Sequence, residues 1–233
     1  MIPCISVENM RESDAYTIAN FVPSLELMYR AAWGVFKAAQ WRGRTAIVVG
    51  SGNNGGDGFA LACILRSHGY DCTVFTVSDR LSADSAHFAA MAKKSGITTA
   101  SLTPGCLDGY DRIVDCLLGT GFQGIVRGNY RTAIDAINAS SAYIISVDIN
   151  SGMNGDTGES ELAVCSDLTV TIGYVKMGLV SENAGKYMKH LVCADIGIQL
   201  VREEWHLGND PACIPCPCWL DMEPIICRES YSC

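Results

Sequence analysis

The sequence predicts a single α/β domain built on a mostly parallel sheet with helices on both faces. Two observations carry this prediction. Strand-like apolar runs alternate along the chain with segments of helical periodicity, the pattern of parallel sheets with crossover helices. The runs, such as residues 45–49, also lack polar alternation, as expected of strands covered on both faces. A chain of 233 residues with 48% hydrophobic content can bury one sizeable core.

Two helices are predicted ahead of the first strand. Residues 8–20 are polar and are expected to lie at the surface. Residues 25–39 carry an apolar stripe at helical spacing, and Ser24 is expected to cap them. A leading segment of this kind is expected to cover the sheet or an interface.

Strands and helices then alternate to the end of the domain. The predicted helices are one beginning near Asp57, residues 83–95 opened by Ser82, and residues 130–139. The predicted strands are residues 45–49, 72–77, 97–100, 111–118, 143–148, 168–172 and 191–196.

The first strand runs into a turn that has five glycines in the nine positions 50–58. Glycine lets the backbone approach a ligand without interference from a Cβ atom. The free amides of the turn and the N-terminus of the following helix predict an anion site. The turn contains a formal G-x-G-x-x-G at Gly50, Gly52 and Gly55, which is a weak signal by itself.

Three interpretations of this turn stay open at this point. A nicotinamide dehydrogenase needs an acidic residue at the end of the second strand, and Asp79 lies just beyond residues 72–77. The second interpretation is a tight turn between strand and helix that binds no ligand. The third is a site with different chemistry, because residues 53–57 put two carboxamides and a carboxylate in the turn. Their hard oxygens suit an alkali or alkaline-earth cation or a sugar hydroxyl. A P-loop is excluded, since no Gly-Lys-Ser/Thr follows.

Two further strands end in glycine-rich loops that follow a carboxylate. Asp115 precedes residues 119–124, and Asp148 precedes residues 149–158. In open parallel sheets the ligand crevice lies beyond the carboxyl ends of the strands. The convergence of three such strand ends therefore predicts a site, although either aspartate taken singly could be a cap or a turn residue.

Charge and cysteine content narrow the class of protein. The net charge of −8 argues against nucleic acid or an anionic membrane as the main partner. Several of the 12 cysteines fall inside predicted apolar elements, which indicates buried thiols of a reducing compartment rather than a disulfide scaffold. With no signal peptide, transit segment or membrane-spanning run evident, we expect a cytoplasmic protein without a membrane partner.

The glycine turn at residues 50–58, Asp115 with residues 119–127, and residues 147–152 closely resemble the NAD(P)H-hydrate epimerase family, the YjeF N-terminal domain. The resemblance extends from about residue 9 to residue 197. It implies a Rossmann-like three-layer αβα sandwich that forms a homodimer. It also implies an isomerase that interconverts the 6R and 6S forms of hydrated NADH and NADPH (NADHX and NADPHX), damaged cofactors with a hydroxyl on C6 of the reduced nicotinamide ring.

Site residues follow from the same resemblance. One potassium ion per subunit would be held by Asn54, Asp115 and Ser151, whose oxygens suit a hard monovalent ion. Asp148 would contact the nicotinamide end of the substrate. The full set of expected substrate-binding residues is Asn53, Asn54, Gly55, Gly56, Asp57, Gly119, Thr120, Gly121, Phe122, Gln123, Gly124, Ile125 and Asp148.

Inversion at C6 predicts an acid/base group. Either the hydroxyl leaves and returns on the opposite face, or the ring C–N bond opens and recloses, and both routes need proton transfer. Asp148 is the residue expected to provide it. Lys176 is a weaker candidate for phosphate binding or charge balance, and we expect it to be a solvated surface lysine. Asn150 stands where the family has proline and is expected to loosen the turn. Tyr29 and Ala32 also depart from the family pattern, in the helix that would contribute to dimer packing.

The chain is predicted to divide into a domain at residues 1–207 and a Cys/Pro-rich tail or linker at residues 208–233. The tail has one Cys-x-x-Cys-x-Cys cluster, which without a second spaced pair is a weak zinc signal. Some family members are fused to an NAD(P)H-hydrate dehydratase domain, and coupling to such a domain or protein is expected. The alternative function is a non-catalytic nucleotide-binding or dimerisation scaffold of the same fold; an NAD-dependent oxidoreductase is the third candidate.

Overall fold

The computed structural model describes residues 2–208. In this part of the chain a seven-stranded sheet has the order β4-β3-β2-β5-β6-β7-β8, and every neighbouring pair is parallel. Its strands are β2 (Thr45–Val49), β3 (Cys72–Thr76), β4 (Thr98–Ser101), β5 (Arg112–Cys116), β6 (Tyr143–Val147), β7 (Leu168–Ile172) and β8 (Leu191–Ala194). The predicted parallel sheet is confirmed.

Helices cover both faces of the sheet and make the predicted three layers. The helices are α1 (Val7–Asn20), α2 (Ser24–Ala38), α3 (Asn53–Ser67), α4 (Ala83–Lys94) and α5 (Gly128–Asn138). Apolar residues of α2, α3 and α4 pack on one face, and those of α5 pack on the other. Strand β2 shows why its sequence is apolar throughout, since Ile47 and Val49 face the first core while Ala46 and Val48 face the second.

Strand order places the ligand crevice. From β2 the chain moves outward to β3 and β4, and then returns to build β5 on the other side of β2. The gap between β2 and β5 is therefore the topological switch point, at whose carboxyl end open α/β sheets bind ligands. Both glycine-rich turns that follow these strands lie at that edge.

Helix α1 is not the surface helix that was expected, because the polar side chains on one side of it are buried. Thr17 accepts a hydrogen bond from the backbone N–H of Gln199, and Ser13 accepts one from that of Val201. Asn9 donates to the carbonyl of Arg202. The buried polar residues thus satisfy the backbone of an extended segment that has no sheet partner there.

Strand β1 (Ile2–Cys4) pairs antiparallel with β9 (His206–Gly208), so the two ends of the described chain lie together. The predicted tail falls outside the described residues except for Gly208, and its linker role and zinc site stay predictions. None of the helices that the structure describes is both long enough and apolar enough to span a bilayer. The described cysteines are free thiols.

The predicted cap of α2 and the predicted start of α3 are wrong. Helix α2 begins at Ser24 itself, because Pro23 occupies the N-cap and its carbonyl accepts from Glu26 and Leu27. Helix α3 begins at Asn53 rather than near Asp57, since Gly52 is extended and its carbonyl accepts from Gly55 and Gly56. The N-cap of α4, by contrast, is Ser82 as predicted, with its hydroxyl accepting from Ser85 N.

Candidate active site

A crevice of about 150 Å³ lies at the carboxyl edge of the sheet, between the strand ends and helices α1, α2 and α3. Its wall on the side of α2 includes the apolar residues Leu27, Met28 and Ala31. Its charged side chains are Arg11, Asp14, Asp57, Asp84, Asp148 and Lys176. Carboxylates therefore outnumber cations at this site.

Asp148 follows β6 with a backbone conformation that few residues adopt. Its φ of 70° is the only positive value of a non-glycine residue in the described part of the chain. Aspartate and asparagine tolerate this left-handed region better than most side chains, and such strain concentrates at functional sites. The Asp148 backbone N–H donates to Val170 O at 2.8 Å, so the neighbouring strand β7 holds the residue in this conformation.

Both carboxyl oxygens of Asp148 accept hydrogen bonds. Oδ1 accepts from Nζ of Lys176 at 2.6 Å, and Oδ2 accepts from the backbone N–H of Thr120 at 3.2 Å. The Asp148 side chain is 14% exposed, on the crevice side. Because both oxygens accept, the carboxyl group of Asp148 is held in one orientation.

Lys176 is buried, so the expectation of a solvated surface lysine is wrong. Its side chain is 1% exposed, and Nζ also donates to Ile172 O at 2.6 Å and Thr171 Oγ1 at 3.1 Å. All three ammonium protons therefore have acceptors. The reversal of the chain at Gly173, where φ is +72°, directs the following residues back along β7 toward Asp148.

Asp115 is fully buried at the end of β5 and is held by hydrogen bonds to both oxygens. Oδ1 accepts from Ser151 Oγ at 2.5 Å and from Leu117 N at 3.2 Å. Oδ2 accepts from Ser146 Oγ at 2.9 Å and from Ser151 N at 3.0 Å. Burial raises the pKa of Asp115, and these hydrogen bonds oppose the rise. The structure thus brings the predicted pair Asp115 and Ser151 together.

Asn54, in the first turn of α3, is 8% exposed, and its Oδ1 and Nδ2 atoms have no hydrogen-bond partner among the described residues. A buried amide without partners is costly, so these two atoms are available to a bound ion or substrate. Gly119 lies against it, since a Cβ atom on Gly119 would be 3.4 Å from Asn54 Cβ and 3.1 Å from Asp148 Oδ2. An unpartnered amide oxygen, a buried carboxylate and a hydroxyl fit a hard monovalent cation.

The remaining predicted substrate residues separate into three groups. Asn53, Asp57 and Thr120 line the crevice with Asp148. Gly55 and Gly56 are buried in α3, where added Cβ atoms would meet the backbone of Gly50 and the side chain of Met28. Residues 121–125 form a largely exposed loop before α5, and Ile125 in it is 54% exposed.

The glycine turn after β2 is partly satisfied within the protein. Tyr130 Oη accepts from Ser51 N at 3.0 Å, so the donors that remain at this turn are the first-turn amides at the N-terminus of α3. Asp79, the residue that a dehydrogenase would use for its ribose, does not line the crevice with Asp148. It lines a separate cavity of about 460 Å³ with Arg80.

Several residues of the site were not predicted, above all Asp14 and Arg11 of α1 and Asp84 of α4. Burial, together with the charge of Asp148, raises the pKa of Asp14, while Lys176 lowers it. The polar pattern of α1 could have indicated a site-facing helix, because Arg11, Asp14 and Ile18 recur at helical spacing.

Fold and site together define a Rossmann-like α/β protein with a polar ligand crevice at the switch point of its sheet. A family model described as YjeF-related protein N-terminus matches residues 24–178, and the chain belongs to this family. The structure of yeast YNL200c shares the fold, with a TM-score of 0.69 at 21% identity over 81% of this chain and 87% of that one.

Relatives named NAD(P)H-hydrate epimerase resemble the chain over most of both lengths. That of Limosilactobacillus fermentum is 37% identical over 199 residues, which cover 82% of this chain and 95% of the relative. The relative from Rhodopirellula baltica is 33% identical over 87% of this chain and 88% of its own length. The bifunctional NAD(P)H-hydrate repair enzyme Nnr of Coxiella burnetii is 35% identical over 81% of this chain, which corresponds to 40% of that longer protein.

Proposed function

We propose that this protein is an NAD(P)H-hydrate epimerase, an isomerase that interconverts the 6R and 6S forms of NADHX and NADPHX. The observation that carries the proposal is the carboxylate of Asp148, fixed by Lys176 and Thr120 at the edge of the crevice. The relatives with this name, which the chain covers almost completely, support the same activity.

The geometry suits proton transfer at one ring substituent. Asp148 keeps its orientation without adjusting to the substrate, because three hydrogen bonds hold its backbone and both oxygens. Loss of the C6 hydroxyl leaves positive charge on the reduced nicotinamide ring, and a carboxylate-lined crevice stabilises such charge. In this arrangement Asp148 accepts a proton or stabilises the developing cation, as the sequence hypothesis requires of an acid/base residue.

The phosphates of the substrate need donors away from these carboxylates. The first-turn amides of α3, at Asn53 and Asn54, point from a helix N-terminus and favour anions. The loop at residues 119–125 follows β5 at the same sheet edge and adds further backbone amides. We assign the substrate-binding role to these two segments together with Asp148.

We also propose that Asn54, Asp115 and Ser151 hold one potassium ion per subunit. The unpartnered Oδ1 of Asn54 supports this proposal. When bound, the ion supplies a fixed positive charge for the oxygens around it. Thermal unfolding in potassium chloride against choline chloride at equal ionic strength tests it: wild type should gain stability from potassium, and Asn54→Ala should not. Equal melting temperatures of the wild type in both salts would contradict the site.

We propose a cytoplasmic homodimer whose product passes to an NAD(P)H-hydrate dehydratase, since the Coxiella relative is named a bifunctional repair enzyme. Sedimentation of the purified chain would test the dimer. Pull-down with a purified dehydratase would test direct coupling, as opposed to coupling through the free product.

The activity is tested by following pure 6R-NADPHX by chromatography with the purified protein. We expect the 6S form to appear with wild type and to be lost with Asp148→Asn, which retains the shape of the side chain. Asp135→Asn, an exposed position on α5, is the matched control and should behave as wild type. Binding of the hydrate without any conversion would refute the epimerase and favour the scaffold function.

A further inference from the structure

Asp57 differs from Asp148 in how its carboxyl group is held. It projects from the second turn of α3 into the crevice, and no side chain or backbone group of the described residues makes a hydrogen bond with it. Asp148, by contrast, accepts at both oxygens. The carboxyl of Asp148 is thus a fixed acceptor, whereas the carboxyl of Asp57 is free to make hydrogen bonds with the substrate.

The charged surroundings of Asp57 disfavour a second negative charge. Asp14 faces it from α1, Asp84 from α4 and Asp148 from the end of β6, while α2 contributes apolar side chains. The cations that share the crevice are Arg11 and Lys176, and all three ammonium protons of Lys176 are donated to other groups. The thiol of Cys116, on β5, also faces Asp57. Burial first, and then Asp148 and Asp14, raise the pKa of Asp57 well above its usual range, while Lys176 opposes the rise.

We propose that Asp57 is the proton donor of the epimerisation, the neutral carboxylic acid that protonates the C6 hydroxyl of the bound hydrate. This rests on the proposed function. Two carboxyl groups in one crevice then have different roles, Asp57 as the proton donor and Asp148 as the acceptor fixed by its hydrogen-bond partners, as in other enzymes that separate acid from base.

The step balances as an exchange of water at C6. The proton of Asp57 moves to the hydroxyl oxygen, the C6–O bond breaks, and its electron pair leaves with water. The lone pair of ring N1 forms a C6=N1 double bond, so the ring becomes a cation facing the carboxylates. A water molecule adds to C6 from the opposite face and gives a proton to Asp148, and exchange through crevice water returns one proton to Asp57. No oxidant or reductant takes part.

Asp14 is a positioning residue in this scheme. It touches no reacting atom, but its charge adds to that of Asp148 around Asp57 and helps to keep Asp57 protonated. Removing that charge with Asp14→Asn should let Asp57 ionise at lower pH. The alkaline limb of the pH–rate profile should therefore move to lower pH, whereas a merely structural role would leave its position unchanged.

The variant that tests the donor is Asp57→Asn, which keeps the size of the side chain and cannot give up a proton. We expect kcat to fall about 100-fold or more, the range of general acid catalysis, with KM much less affected. Residual activity should lack the alkaline limb, and Asp135→Asn should match wild type. A near-normal kcat in folded Asp57→Asn would overturn the proposal. No conversion by wild type would instead refute the proposed function itself.

Isotope labelling tests the same step in the unaltered protein and does not depend on the variant folding. In water enriched in oxygen-18, each inversion of 6R-NADPHX should place one labelled oxygen on C6, with an enzyme-free sample to subtract spontaneous exchange. Inversion without label would show that the hydroxyl never leaves and that ring opening occurs instead. That result would overturn the role of Asp57 as donor to the hydroxyl while leaving the epimerase activity intact.

Discussion

Nζ of Lys176 lies 2.6 Å from Oδ1 of Asp148, which it reaches from the chain reversal after β7. The pair joins the ends of two neighbouring parallel strands, and β7 also fixes the left-handed backbone of Asp148 through Val170 O. The site is therefore supported by the edge of the sheet itself, which is more rigid than a surface loop.

Lys176→Met should destabilise the fold, because it leaves the carboxylate of Asp148, which is 14% exposed at the crevice, without its charge partner. Removing one member of a fully buried ion pair costs about 3–5 kcal/mol, and the partial exposure of Asp148 places this loss toward the lower end of that range. The midpoint of urea unfolding measures this loss, and epimerisation should fall with it.

Lys189→Met is the matched control for that variant. Its Nζ also lies 2.6 Å from an aspartate oxygen, Oδ1 of Asp167, but the Lys189 side chain is 73% exposed. Exposed ion pairs contribute little, so its unfolding midpoint should stay close to that of wild type. Equal losses in the two variants would show that burial does not set the strength of the Lys176 pair.

Gly119→Ala should reduce activity more than stability. Its new methyl group would lie 3.1 Å from Asp148 Oδ2 and 3.4 Å from Asn54 Cβ, so it would displace the proposed catalytic carboxylate and the proposed potassium ligand. Gly121→Ala, in the same proposed substrate-binding loop, is the comparison for kcat, since nothing lies within 4 Å of its added Cβ and Asp148 and Asn54 stay undisturbed. We expect kcat to fall by about tenfold or more for Gly119→Ala, as small displacements of catalytic groups are costly. Similar kinetics for both variants would contradict this packing argument.

Asn150 is a buried structural hub, so the expectation that it loosens its turn is wrong. Nδ2 lies within hydrogen-bond distance of Val164 O at 2.9 Å and Tyr187 O at 2.7 Å, and Oδ1 accepts from Thr169 Oγ1 at 2.7 Å. The side chain thereby ties the loop after β6 to the segments around β7, which a proline at this position could not do.

Asn150→Ala should therefore lower the free energy of unfolding by about 2–4 kcal/mol, because several buried polar groups lose their partner. Urea unfolding provides the measurement. Asn20→Ala is the control, since Asn20 bonds Tyr16 O on the exposed end of α1. A cost no larger than that of Asn20→Ala would mean that water replaces the lost hydrogen bonds.

Local pattern accounts for the strands and for two site carboxylates. The predicted strands 45–49 and 168–172 coincide with β2 and β7, because a strand buried on both faces must be apolar throughout. Asp115 and Asp148 could be predicted because parallel topology brings the carboxyl ends of strands to one edge. These inferences need no knowledge of which side chains touch.

The residues that local pattern missed depend on contacts between distant parts of the chain. Lys176 is 28 residues from Asp148, and its burial follows from a reversal whose direction the sequence does not show. Asp14 reaches the crevice because α1 is held by the extended backbone at residues 199–202. The early start of α3 depends on close packing of the glycines in its first turn, such as Gly56 against Met28. Tertiary context overrides local propensity at these positions.

Asp57→Asn should make the protein more stable near neutral pH even as it loses activity. The pKa of Asp57 is raised in the folded state, so the folded protein holds this proton more tightly than the unfolded chain does. Stability therefore falls as pH rises from the ordinary carboxyl range through the raised pKa. Asparagine cannot ionise and avoids this loss, a gain typical of substitutions in strained active sites.

Urea unfolding of wild type and Asp57→Asn from about pH 4 to about pH 8, a range that begins near ordinary carboxyl pKa values, measures the effect. The two proteins should have similar stability at the acid end, and Asp57→Asn should become the more stable as pH rises. Asp135→Asn should follow wild type throughout, because Asp135 is exposed. A difference that is constant with pH would mean that asparagine changes packing alone. A difference that favours wild type at high pH would mean that Asp57 is ionised and stabilised in the fold, which is incompatible with its role as the proton donor.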